Sequence, residues 1–194
     1  TSPAIFSGLF IDDHFHRMIL GGHLEAYGIE LNPILDLFSF LPTDDTVRAL
    51  MNDWSTLPWW RHESLRANFF RPVTALTHML DYALWPNQFW LYHLHSILWA
   101  VLACFGVRKL YRITNLPPAA LAFAMCFFVV DDAHAMPTAW IANRNIMIAL
   151  YFGTLSIVHY IKWRRAEGAF VWCFLYLLLS LLSAEGGISA IGYM

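Results

Sequence analysis

The chain has 194 residues, of which 58% are hydrophobic and only 13% are charged, with a formal net charge of −2. Soluble domains carry roughly 25% charged residues, so this composition points to a lipid bilayer. A near-neutral chain with no basic stripe excludes a nucleic-acid partner.

In chain order, residues 1–88 come first and read as one long extracytoplasmic loop. Segments 5–20 and 29–41 are apolar-rich but broken by acids and histidines, the pattern of amphipathic helices lying at a membrane interface. Asp44-Asp45 after Pro42-Thr43 marks a further helix start, because Thr and Asp side chains accept from the freed N–H groups of a first turn. Trp54, Trp59 and Trp60 suit a belt at headgroup level. Phe70-Arg71-Pro72 opens a helical stretch to Trp85, Pro72 being tolerated in the first turn, and Pro86-Asn87 ends it.

Residues 89–194 read as a transmembrane helical bundle. The first apolar run, 89–107, is broken only by His93, His95 and Ser96 and has the length a spanning helix needs, about 20 residues. The second, 117–131, is short for a lone span, which predicts a tilted or protein-buried helix. The third, 138–161, contains Asn143-Arg144-Asn145, and the fourth covers 169–183. The predicted fold is therefore all-α and integral to the membrane, with about four transmembrane helices and interfacial helices in the first loop. Cys104, Cys126 and Cys173 lie inside the apolar runs without CxxC spacing and read as small core residues. There is no repeat, low-complexity segment or signal peptide, and the chain starts without Met and ends inside an apolar run, as a piece of a longer protein would.

Charge fixes the predicted topology. Arg108, Lys109 and Arg112 follow the first run, and Lys162, Arg164 and Arg165 follow the third. Short loops rich in Lys and Arg face the cytoplasm. Every acidic residue except Glu167 then falls on the opposite face.

Three groups on that face can carry chemistry. In Asp12-Asp13-His14-Phe15-His16, a helix puts Asp12 and Asp13 within one turn of His16, and a carboxylate beside an imidazole binds a divalent cation or moves a proton. The same pattern also serves as the polar start of an interfacial helix. Asp131-Asp132-Ala133-His134 places two adjacent carboxylates at the bilayer edge, where a metal, a cationic partner or a polar substrate offsets their repulsion, or where they sit in water as a capped loop. Arg144 lies one or two turns inside the third run, where an arginine pairs with an internal acid such as Asp131 or Asp132, snorkels to the interface, or holds a phosphate. His78 shares a helical face with Asp81, and His93 with Ser96; buried, satisfied histidines and a haem or chlorin ligand both fit such positions. Glu185 after Ser183 reads as a catalytic acid or a simple end-of-span acid.

Several segments together resemble the GT-C glycosyltransferases, in particular bacterial members and the O-mannosyltransferases with tetratricopeptide repeats. They are the acidic pair Asp12-Asp13, the segment Phe70-Arg71-Pro72-Val73-Thr74 with Asp81-Tyr82-Ala83-Leu84-Trp85, the span start Tyr92-His93-Leu94-His95, Ala139-Trp140-Ile141-Ala142-Asn143-Arg144, and Ser183-Ala184-Glu185. In the second loop the family's His-Pro-x-His-x-Glu pattern keeps only His134, with Asp131 and Asp132 replacing its first two residues and Met136 its acid. The resemblance implies transfer of a sugar from a polyprenyl-phosphate donor to an acceptor on the outer face of a bacterial inner membrane. It casts Asp12 and Asp13 as catalytic bases and Arg144 and His134 as donor-phosphate ligands. Read from the residues themselves, Asp131, Asp132 and His16 are the candidate ligands of a divalent metal, Mg or Mn, with His134 beside the two acids to share the cation or orient the donor phosphate. The partners implied are the lipid-linked sugar donor, membrane lipids and other membrane subunits. The alternative is a non-catalytic GT-C-like subunit of a larger assembly, favoured by the missing first span and by Met136.

Overall fold

The computed structural model describes residues 5–41, 45, 48–49, 60, 62 and 66–194. Trp54, Trp59 and Asp44 lie outside these residues. The described part is mostly helical, in keeping with the all-α expectation.

The first loop folds into a small layer of its own. Helix α1 (Asp12–Leu20) buries Asp13, His16 and Ile19, a spacing of three that keeps them on one face. A short α2 (Pro33–Asp36) opens with Asn32, whose side chain accepts from Ile34 N at 2.9 Å, and has Pro33 in its first turn. Segment 29–41 is thus not one helix: its end forms strand β1 (Ser39–Leu41), which pairs antiparallel with β2 (Ala67–Asn68). Beneath this ribbon, Ile19, Leu24, Ile29, Leu37, Phe38 and Ala75 make a core. Ala75 belongs to α3 (Pro72–Leu84), so the core clamps α3 against the loop.

The bundle follows. Helix α4 (Phe89–Ile113) runs through Arg108, Lys109 and Arg112, because Lys and Arg are good helix formers and can extend a span into water. Helix α5 (Pro118–Val130) is followed by a 3₁₀ turn (Asp132–His134) and α6 (Ala135–Ala139), the two parts being bent by 52°. A second 3₁₀ turn (Ile141–Arg144) leads into α7 (Asn145–Arg164), and α8 (Phe170–Leu181) precedes a final 3₁₀ segment (Glu185–Tyr193).

Among the described residues, two helical segments, Phe89–Ile113 and Ile141–Arg164, are long and apolar enough to cross a membrane, and the bent α5–α6 pair makes a third if it counts as one span. The fourth predicted span is shorter than expected. Helix α8 has 12 residues, about 18 Å at 1.5 Å each, against a hydrocarbon core of about 30 Å. Helix α7 holds α4 on one side and α8 on the other. Gly106 of α4 lets Thr154 and Tyr151 approach closely, and Ser156 and Ser180 donate to the Cys173 and Ala149 carbonyls at 2.7 and 2.8 Å. Small residues and inter-helix hydroxyl bonds of this kind replace the hydrophobic effect where lipid surrounds helices.

Candidate functional site

Asp13 joins the first loop to the bundle. Its backbone N–H donates to Phe10 O at 2.7 Å, while its Oδ2 accepts from Phe10 N at 2.9 Å and its Oδ1 from Ala142 N at 2.7 Å. The side chain is buried, and burial pushes its carboxyl up to about 6, opposed by the two backbone N–H groups, His93 and Arg144. Burial also raises the carboxyl of half-buried Asp12. Ile11, just before the pair, has φ 25° and ψ −91°. A positive φ at a β-branched residue is a strained backbone, and such strain gathers at functional positions. Two further ties hold the same end of the molecule together. His93 Nε2 lies 2.8 Å from Gly8 O, and Arg17 donates to Asn87 Oδ1 at 2.9 Å while covering the Phe89 ring.

Behind Asp13, His16 sits in an aromatic cage with ring centroids 4.8 Å from Phe38, 5.9 Å from Phe40 and 5.1 Å from His78. Burial, reinforced by Arg71 and Arg144, drives the His16 imidazole down to about 3, so that ring is neutral at physiological pH. Asp13, His16, Arg17, His78, Tyr82 and Tyr92 line one cavity of about 20 Å³, the size of a single water and too small for a sugar.

Arg144 is the centre of a second cluster. Its Nη1 lies 2.6 Å from Asp81 Oδ2, and both side chains are fully buried. Nε donates to Ser96 Oγ at 2.9 Å, Nη2 to Tyr92 O at 2.9 Å, and Nη1 to Thr77 Oγ1 at 3.4 Å. Asp81 Oδ1 is 2.6 Å from His95 Nδ1, and Trp99 Nε1 donates to His95 Nε2 at 3.1 Å. Arg144 Nη1 also lies 3.2 Å from His95 Nδ1, so imidazole, carboxylate and guanidinium meet at one point. The internal acid that pairs with Arg144 is Asp81, not Asp131 or Asp132. The guanidinium has no exposed edge, and a donor phosphate would have to displace Asp81 to reach it. The signal for this partner was Asp81 itself, the one acid within the apolar stretch 72–85. Glu185 is likewise engaged, 2.6 Å from Arg71, whose guanidinium stacks on Phe69 and Phe38.

The second-loop residues lie elsewhere. Asp131 and Asp132 are exposed, and Asp131 Oδ1 caps the 3₁₀ turn by accepting from Ala133 N at 3.0 Å. The His134 ring packs 4.4 Å from Phe128, and its buried Nε2 has no protein partner. All three line a cavity of about 340 Å³, whose walls are Ile97, Ala100, Val101 and Cys104 of α4, Phe128, Val129 and Val130 of α5, and Thr138 and Met147. His16 belongs to the aromatic cage, so the expected metal set of Asp131, Asp132 and His16 is not brought together. Among the described residues, no three His, Cys, Asp or Glu side chains are grouped to hold a metal ion.

Comparison with family models, curated proteins and solved structures gives no match to this chain.

Proposed function

We propose that this chain carries the lipid-donor side of a GT-C-like glycosyltransferase, which moves a sugar from a polyprenyl phosphate to an acceptor on the extracytoplasmic face of a bacterial inner membrane. The observation that carries this reading is the apolar cavity between α4 and α5, with two carboxylates and an imidazole among its lining residues. Apolar walls suit an isoprenoid chain, and a few convergent polar groups fix a headgroup. Asp131 and Asp132 would be the residues to hold a divalent ion such as Mg or Mn, and the chemistry it would supply is neutralisation of charge on a phosphate.

Segment 131–144 serves both halves of the reaction. One end lines the donor cavity, and the Ala142 N–H at the other holds Asp13. In an inverting transfer the acceptor oxygen forms a bond to the sugar carbon as the bond from that carbon to the donor phosphate breaks. The phosphate leaves with the electron pair, and the acceptor proton passes to the Asp13 carboxylate through a single water, the most that its cavity of about 20 Å³ admits. A carboxyl near 6 is a stronger base than an ordinary aspartate and still ionised at neutral pH. Asp12, more exposed than Asp13, is the alternative base.

The test is a photoreactive polyprenyl phosphate added to the full-length protein in membranes. Adducts on α4 or α5 residues of the cavity, competed by unlabelled polyprenyl phosphate, support the reading; adducts spread along all lipid-facing surfaces contradict it. A second reading, a non-catalytic subunit, is favoured by one observation: both Asp13 oxygens and the Arg144 donors are already engaged as internal struts. Stoichiometric co-migration with other membrane proteins after gentle solubilisation, without transfer activity, is its signature.

A further inference from the structure

Helix α3 has its polarity inside out. Its inward face carries Thr74, Ala75, His78 and Asp81, at 0%, 0%, 3% and 0% exposure, while Leu76, Leu80 and Leu84 are 52%, 50% and 55% exposed. The leucines are spaced by four and form one stripe. A surface helix in water shows the reverse, apolar residues in and polar residues out. A helix immersed in hydrocarbon keeps its ionisable groups on the protein side and paired, as Asp81 is with Arg144 and His95.

The position of α3 agrees. Asp81 and Thr77 meet Arg144 and His95, which belong to the two segments long enough to cross a membrane. At its other end, Val73 N donates to Leu182 O at 3.1 Å and Thr74 Oγ1 to Ser183 O at 2.8 Å, fastening α3 to the end of apolar α8. The adjoining α4 bears the same kind of stripe, with Trp90, Leu94 and Leu98 at 51%, 46% and 53% exposure. With 13 residues, α3 is about 20 Å long, too short to cross a core of about 30 Å.

We propose that Pro72–Leu84 lies within the hydrocarbon of the leaflet that holds Arg144, with Leu76, Leu80 and Leu84 against lipid acyl chains. Membrane lipid is the partner of this face, and the aqueous part of the first loop ends before Pro72. The inference rests on the chain being a membrane protein and not on lipid-carrier transfer, so either can fail alone.

The test places a nitroxide at each leucine in turn, in full-length protein with Cys104, Cys126 and Cys173 replaced by Ala, reconstituted in phosphatidylcholine–phosphatidylglycerol vesicles. Leu98 and Tyr27 serve as the span and loop references. The expected result is accessibility to oxygen matching Leu98 and exclusion of a water-soluble nickel chelate. Chelate access matching Tyr27 would place the stripe in water, and low access to both reagents would mean that protein covers it; each overturns the proposal. A measurement without substitutions guards against misfolded variants. Diazirine-bearing phospholipid should leave carbene adducts on residues 76–84 of the unmodified chain, and adducts on α4 with none on 76–84 count against immersion.

Discussion

Asp81 and Arg144, 63 positions apart in sequence, form an ion pair at 2.6 Å with neither side chain exposed. It joins the first loop's last helix to the start of a span, and Ser96, Tyr92, Thr77 and His95 complete its shell.

Breaking this pair from one side leaves an uncompensated buried charge. Asp81→Asn and Arg144→Met should each destabilise the protein by about 3–5 kcal/mol, whereas the double variant Asp81→Leu/Arg144→Met should recover much of the loss. Thermal unfolding in detergent, followed by tryptophan fluorescence, checks this. Arg144→Lys should not substitute, because an ammonium cannot reach Asp81, Ser96 and the Tyr92 carbonyl together.

The acid response should combine two groups of opposite sign. His16 falls from 6.5 to about 3 on folding, so its contribution is full above pH 6.5 and is lost as pH drops toward 3. Asp13 rises from 3.8 to about 6, so its contribution is full below pH 3.8 and is lost as pH rises through 6. Each has a limiting slope of about 1.4 kcal/mol per pH unit. His16→Phe should flatten the loss of stability between pH 6 and 4, and Asp13→Asn should steepen it, as read from denaturation midpoints across that range.

Filling the larger cavity should separate donor binding from folding. Ala100→Trp places an indole where the walls are apolar. The expected effect is a KM for the lipid donor raised roughly tenfold or more, about 1.4 kcal/mol of lost binding, with the unfolding temperature little changed. An unaltered KM would remove the cavity from the reaction.

Close packing of α4 on α7 depends on Gly106. A Cβ there would press on Thr154 and Tyr151, so Gly106→Val should cost about 1–3 kcal/mol through overpacking. Gly192, with open space around its Cβ position, is the control, and Gly192→Ala should be near neutral in the same unfolding assay.

The helices were legible where periodicity or apolar length dominated. The stretch expected from Phe70-Arg71-Pro72 to Trp85 is α3, and the run expected at 117–131 is α5. The ribbon was not legible, because Ser39 pairs with Asn68 across 29 positions and its apolar neighbours read equally well as a helix. Asp131, Asp132 and His134 do gather at one cavity, but the wall from α4 is a matter of packing that no motif states. His16 was read as a metal ligand because its sequence neighbours are acids. Its fate was set by Phe38 and His78, which only tertiary folding brings near.

The central claim is transfer from a lipid phosphate with Asp13 as base, and turnover tests it most directly. Full-length protein in proteoliposomes, given a polyprenyl-phosphate sugar and an acceptor, should release polyprenyl phosphate in step with acceptor modification. Asp13→Asn should abolish that release while the protein still binds the donor. Undiminished release by the Asp13→Asn variant, or no donor-dependent product from the parent protein, would contradict the account.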